Sequence, residues 1–205
     1  MNALIIVDIQ NDFLPGGALA VQDGNAVIPL VNSLQKKFEL VVATQDWHPA
    51  GHKSFASAHP GKKIFDEIML EGLPQILWSD HCVQATSGAD FSLLLDTKKI
   101  EVIFRKGMDS NIDSYSGFFD NGKRKATGMG DYLKGRGATT IYVTGLAGDY
   151  CVNFTALDGL ELGFESTIIA DATRPINSEN FKRAMENFTS KGGKVMDSVE
   201  LKFKH

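Results

Sequence analysis

Apolar residues gather in six short runs along the chain, and four of the runs break off at a reactive side chain. Residues 3–7 (ALIIV) end in Asp8, and residues 40–43 lead through Thr44 and Gln45 to Asp46. Residues 100–104 end in Arg105 and Lys106, and residues 141–145 pass through Leu146, Ala147, Gly148, Asp149 and Tyr150 into Cys151. The last two runs cover residues 164–170 and 194–196. Stretches with helical spacing lie between them. Residues 25–38 put Val27, Ile28, Leu30, Val31, Leu34 and Phe38 at that spacing, with Asp23 or Asn25 as cap. Residues 131–134 read as the end of a second helix, stopped by Gly135 and Gly137. Residues 150–162 form a third, closed by Gly163, and residues 178–191 a capped amphipathic fourth. Strand and helix alternate, which predicts βαβ units and a parallel sheet. The carboxyl ends of such strands share one edge, and ligands bind in the crevice outside it, so Asp8, Asp46, Lys106 and Cys151 are expected to converge.

One segment breaks the alternation. From Asp46 to Asp90 there is little periodicity, yet this stretch holds both tryptophans and four of the five histidines. Structureless loops beyond ~15 residues are uncommon in compact domains and usually functional or disordered. A cluster of Trp and His argues against disorder, so the excursion is expected to build half of a site.

Composition narrows the function classes. The chain of 205 residues is expected to form one domain over residues 1–205. A net charge of −4 gives no electrostatic footprint for nucleic acid or anionic membrane, and Lys123-Arg124-Lys125 is too short a cluster to change that. No apolar stretch approaches the ~20 residues that span a bilayer, and the opening residues do not read as a signal peptide. Two cysteines far apart make no disulfide framework. A cytoplasmic location is expected.

The reactive residues suggest two centres. Asp46 and His48 end one strand, and residues i and i+2 of an extended segment share a face. With His81 they offer one carboxylate and two imidazoles, a set suited to zinc, iron or manganese that leaves coordination positions open. His52, through a turn at Ala50-Gly51, and His59 are further candidates. Any one of these histidines alone is more often a surface residue; jointly Asp46, His48 and His81 favour a site. Cys151 follows a strand and a small-residue loop and opens a helix, a setting that lowers a thiol's pKa and offers backbone N–H groups to an oxyanion. A lone Cys is more often a small core residue, which is how Cys82 reads. Asp8, ending a run as apolar as ALIIV, should be raised by desolvation and pulled down again by a nearby Lys106. Phe13, Trp47, Trp78 and Tyr115 flank these residues and could wall a flat apolar pocket.

These segments together resemble the bacterial nicotinamidases (pyrazinamidases) of the isochorismatase-like cysteine hydrolase superfamily. The resemblance rests on residues 6–17 (IVDIQNDFLPGG), 44–49 (TQDWHP), 78–83 (WSDHCV), 104–107 (FRKG), 113–118 (DSYSGF) and 145–152 (GLAGDYCV), and runs to about Arg174. It implies a doubly wound, six-stranded parallel sheet with helices on both faces, a Rossmann-type three-layer α/β domain. It further implies a triad of Asp8, Lys106 and Cys151, and an oxyanion hole from the N–H groups of Ala147 and Cys151 beside a cis peptide between Leu146 and Ala147. Asp46, His48 and His81 become the ligands of one divalent metal, zinc first and iron or manganese as alternatives, with His52 a ligand in some relatives. Phe13, Trp78 and Tyr115 line the ring pocket. The implied activity is hydrolysis of nicotinamide, and of pyrazinamide, through a Cys thioester, with a small-molecule substrate, no nucleic acid, no membrane, and homo-oligomerisation left open. The rivals are a ureido or N-carbamoyl hydrolase with the same triad, and an inactive scaffold that binds a metal or a partner. Two positions depart from the family pattern: Ser79 stands where Pro is usual, and Gly148 stands where Thr is usual, giving that loop a more permissive backbone.

Overall fold

The computed structural model describes residues 1–202. In chain order the elements are β1 (Asn2–Val7), α1 (Ile28–Gln35), β2 (Leu40–Asp46), β3 (Glu67–Leu70), β4 (Leu73–Ile76), β5 (Val102–Lys106), α2 (Met129–Gly135), β6 (Thr140–Leu146), α3 (Asn153–Glu161), β7 (Glu165–Arg174), α4 (Ser178–Ser190) and β8 (Lys194–Met196). Six strands form one sheet in the order β5-β2-β1-β6-β7-β8, every pairing parallel. All six expected strands are present, and the expected α/β architecture is the one found.

Period-two alternation along the central strands feeds two cores. Leu4 and Ile6 of β1 face one layer with Val31 and Leu34 of α1. Ala3, Ile5 and Val7 face the other, with Met129 and Leu133 of α2, Ala156 of α3 and Phe188 of α4. Burial on both faces is why β1 and β2 read as unbroken apolar runs. Strand β5 lies at the edge and alternates instead, with Ile103 partly in solvent.

Helix boundaries differ in detail from the pattern. The first turn expected in α1 is a 3₁₀ turn over Gly24–Val27, and neither Asp23 nor Asn25 makes a side-chain cap; Pro29 opens the α-helix instead. Tyr150 and Cys151 lie in a π-turn over Gly148–Val152, so α3 begins only at Asn153. Gly163 closes α3 with φ +89°, and Asn177 caps α4 by accepting from the Asn180 N–H at 2.9 Å.

The 46–90 excursion contains a hairpin that the sequence pattern does not announce. Strands β3 and β4 pair antiparallel around Glu71-Gly72, both at positive φ (51° and 81°), as a tight primed turn requires. Pro74 within β4 and a Glu in a position favouring Asn or Asp hide the signal. From this hairpin Gln75 reaches the site.

Candidate active site

Register places the reactive groups. Asp46 pairs directly with Lys106 across β2 and β5, and Asp8 follows Val7, whose neighbours are Thr44 and Gly145. The sheet order reverses between β1 and β6, so Asp8 and the loop to Cys151 flank the switch point. Lys106, fully buried, sends its Nζ to Asp8 Oδ2 at 3.0 Å and Asp46 Oδ1 at 3.1 Å. It also donates to the Ser114 carbonyl at 2.9 Å and to Cys151 Sγ at 3.4 Å. Asp8 itself is held in the left-handed region (φ 47°), and its Oδ1 accepts from Thr44 Oγ1 at 2.6 Å.

One ammonium serves two carboxylates and a thiol, and it does not treat them alike. Burial opposes the charge on Lys106, but Asp46 and Asp8 overcome it and hold the ammonium well above its usual range. Burial pushes Asp46 up, yet His48 and Lys106 outweigh it and keep its carboxyl well below the usual range. At Asp8 burial wins over Lys106, and the Asp46 charge adds to it, so this carboxyl is raised. Burial likewise lifts the Cys151 thiol well above its usual value against the pull of Lys106. The sequence expectation of a thiol lowered by a helix start fails here, because the sulfur is buried beside three carboxylates and the regular helix begins two residues later. A thiol in this state needs a base, and a raised Asp8 is a matched acceptor.

Asp46, His48 and His81 bring three buried ligand atoms within 4.8 Å of one another. His48 Nδ1 faces the Gly107 carbonyl at 2.9 Å and His81 Nδ1 the Ser79 carbonyl at 2.7 Å. A carbonyl only accepts, so each ring carries its proton on Nδ1 and aims an Nε2 lone pair at Asp46 Oδ2, at 3.1 and 3.5 Å. His48 Nε2 is buried without a hydrogen-bond partner among the described residues, while Asp46 Oδ1 is engaged by the Lys106 ammonium. When its Nε2 carries no proton, His48 joins His81 and Asp46 Oδ2 in an N/O donor set that fits a divalent transition metal. Burial lowers the His48 pKa but Asp46 more than reverses it, so protons compete with an ion for that Nε2.

The remaining histidines are otherwise engaged. His52 Nδ1 meets Ser54 Oγ at 2.8 Å and its Nε2 donates to the Asp109 carbonyl at 2.7 Å, with its ring against His48 at 4.4 Å. It braces a ligand rather than joining the set. His59 donates to the Lys53 carbonyl at 2.8 Å, away from the cluster.

Gly107 is the tightest point of this frame. Its φ is +68°, and a Cβ there would lie 2.5 Å from His48 Cε1 and 2.9 Å from Asp46 Oδ1. Gly107→Ala should therefore weaken metal binding by roughly 10- to 100-fold, as loss of an outer-shell partner does. Metal content after dialysis against a graded chelator checks this; parent-like retention would show that the loop yields without cost.

A narrow cavity opens beside these groups. Phe13, Trp78, Tyr115, Ala147 and Cys151 line it, together with Asp46 and His81. Leu19, Asp113, Tyr150 and Ile176 complete the wall; they carry no periodic signal and were not singled out by the sequence. Trp47 lies elsewhere, under the Arg105 guanidinium at 3.9 Å from its ring centroid. The Leu146–Ala147 peptide is cis, and the Ala147 carbonyl accepts from the Tyr150 and Val152 N–H groups at 3.1 Å each. Gln10 is another residue that sequence reasoning passes over: its carboxamide clamps the Asp46 backbone, with 2.8 Å bonds to both N–H and carbonyl.

Both departures from the family pattern have a local account. Ser79 Oγ donates to the Ala18 carbonyl at 2.7 Å, tying the loop that carries His81 to the loop that carries Phe13. At Gly148 the need is for space: a Cβ would lie 2.8 Å from the Phe181 ring and 2.9 Å from Thr173 Cγ2. Its φ is not in the left-handed region, so the extra backbone freedom expected of this glycine is not used.

Comparison with known proteins places the chain in a family. Residues 2–200 match the isochorismatase domain. A nicotinamidase of Acinetobacter baylyi is 48% identical over 175 residues, covering 85% of this chain and 82% of that protein. The crystal structure of an Acinetobacter baumanii nicotinamidase/pyrazinamidase superposes with a TM-score of 0.96 at 44% identity, covering 98% of each chain. A Pyrococcus horikoshii pyrazinamidase solved in complex with zinc superposes with a TM-score of 0.79 at 38% identity, covering 96% of this chain and 98% of that one. On sequence and fold, the chain belongs to the isochorismatase family.

Proposed function

We propose that Asp8, Lys106 and Cys151 hydrolyse the carboxamide of a ring held against the metal-ligating cluster. The reaction is hydrolysis of nicotinamide to nicotinate and ammonia, and pyrazinamide is a further substrate. The observation that carries this reading is the juxtaposition of two buried centres in one aromatic cavity, a Cys–Lys–Asp group and an Asp–His–His group that share Lys106 and Asp46.

Asp46, His48 and His81 would hold one divalent ion, zinc being the first choice. When bound, the ion supplies a Lewis-acid position for the ring nitrogen. Phe13, Trp78 and Tyr115 clamp the ring, so the carboxamide is directed to Cys151. Asp8 takes the Sγ proton as sulfur attacks the carboxamide carbon. The N–H groups of Ala147 and Cys151 receive the developing oxyanion; the Ala147 carbonyl, engaged by Tyr150 and Val152, is turned away from that role. Asp8 then passes its proton to the amide nitrogen, the C–N bond breaks, and ammonia leaves a thioester. Water attacks next and gives a proton to Asp8; the C–S bond breaks, Asp8 returns that proton to sulfur to restore the thiol, and the acid released loses its own proton to solvent as the carboxylate. Lys106 keeps its charge throughout and stabilises both the Asp8 carboxylate and the nascent thiolate.

A ureido or N-carbamoyl hydrolase would use the same triad but has no use for the Asp46, His48 and His81 set. The 205 residues act as one domain in this reading, and its cytoplasmic location is part of the proposal. Incubation of the purified, metal-loaded protein with nicotinamide should release ammonia and nicotinate in equal amounts. Silence on nicotinamide combined with turnover of an N-carbamoyl substrate would overturn the assignment.

A further inference from the structure

Asp113 is a buried carboxylate on the cavity wall that the reaction above does not use. Its Oδ1 accepts from the Ser114 N–H at 2.7 Å and its Oδ2 from Gln75 Nε2 at 3.0 Å. It takes no part in the ion pairs that join Lys106 to Asp8 and Asp46. Gln75 Nε2 also meets Tyr115 Oη at 3.1 Å, and Trp78 Nε1 donates to the same oxygen at 3.3 Å. The hairpin residue Gln75 thus pins Asp113 and the aromatic wall into one piece. Neutral donors orient the Asp113 carboxylate without cancelling its charge. That charge reaches the reacting sulfur: at Cys151, after burial and the nearer Lys106, Asp8 and Asp46, Asp113 also pushes the thiol up.

The substrate is a neutral carboxamide and the product an anion formed at Cys151. Around it stand three carboxylates, Asp8, Asp46 and Asp113, against one ammonium. A divalent ion brings that formal total to zero, and the new carboxylate makes it negative again. Resting on the nicotinamidase reading, we propose that Asp113 is a selectivity residue of the cavity, whose fixed charge disfavours the anionic product relative to the neutral substrate and so speeds product release. Two unit charges sharing a small, partly desolvated cavity interact strongly enough to move an affinity by roughly tenfold.

The test compares two ligands on one protein that cannot turn over. In a metal-loaded Cys151→Ala background, the dissociation constants of nicotinamide and nicotinate are measured by calorimetry. Adding Asp113→Asn should tighten nicotinate by about 3- to 10-fold and leave nicotinamide within about twofold. Asp113→Glu keeps the charge and should keep the parent ratio of the two constants. Asp113→Ser, neutral and still able to accept from the Ser114 N–H, should repeat the Asn result and stands in for it if the Asn protein does not fold. A general disturbance of the wall moves both ligands together, whereas charge moves their ratio. An unchanged ratio in both neutral variants would overturn the proposal, as would loss of bound metal in them, which would make Asp113 a support of the metal set instead. Failure of the nicotinamidase reading shows separately, as no ammonia from nicotinamide with the protein that retains Cys151.

Discussion

Cys151→Ala should lose ammonia release from nicotinamide by on the order of 10⁴-fold or more, the scale seen when a covalent nucleophile is removed. The expected loss is chemical, not structural. Cys151 sits at the edge of the core formed by β6 and α3, and replacing its sulfur by hydrogen removes one buried atom. The cavity left is smaller than a methylene's worth of packing at a typical core site, a cost of about 1 kcal/mol or less. Lys106 loses one neighbour at 3.4 Å but keeps Asp8, Asp46 and the Ser114 carbonyl, so the charge frame stands. Metal content and the thermal unfolding midpoint should therefore stay close to the parent. Turnover within tenfold of the parent would remove Cys151 from the nucleophile's role, and Asp8 with a metal-site water would have to be reconsidered.

Much of this centre is legible in the sequence because parallel strands turn one-dimensional pattern into three-dimensional proximity. Four apolar runs ending in Asp8, Asp46, Lys106 and Cys151 need only adjacent parallel pairing to bring those groups to one edge, and the β1, β2, β5 and β6 pairings supply it. Asp46 and His48 share a face for the same local reason. His81 comes from the irregular excursion, and its place depends on contacts far apart in sequence: Asp12 Oδ2 accepts from the Cys82 N–H at 2.7 Å, and Ser79 bonds to Ala18. Those contacts have no period and no spacing rule. Gln75 is illegible for the same reason, and Asp113 and Gln10 stand within quoted motifs without being singled out, each being a polar residue whose importance lies in what it meets.

The thiol shows a different limit. Helix starts and nearby cations do lower a thiol's pKa; the first sign stands in the sequence at Cys151, and the strand pattern brings Lys106 to the same sheet edge. What the pattern cannot weigh is depth. Burial and the charges of Asp8 and Asp46 act on the same sulfur, and together they outweigh Lys106. In the proposed reaction Asp8 takes the proton from sulfur during attack, which ties two residues 143 positions apart into one step (151 − 8).

His81→Ala should separate the metal's two conceivable tasks. His81 offers one of the three clustered candidate ligand atoms and lines the cavity with Phe13, whose ring centroid lies 5.4 Å away. Its removal should weaken metal binding by roughly 10- to 100-fold or more and raise KM for nicotinamide sharply, with kcat falling through misorientation of the carboxamide. Benzamide carries the same carboxamide on a ring with no nitrogen. If the ion serves the ring nitrogen, benzamide is a poor substrate of the parent and loses comparatively little in the variant, because it never had that anchor. If the ion served the attacking group, both substrates would lose the same fraction of kcat/KM, since the chemistry itself would be impaired. The geometry favours the first outcome: the Lys106 ammonium lies 3.4 Å from Cys151 Sγ and 3.0 Å from Asp8, so the proposed thiol chemistry draws on groups outside the His48 and His81 pair. Losses in kcat/KM at least tenfold larger for nicotinamide than for benzamide are expected, and equal losses would assign the ion to the attacking group.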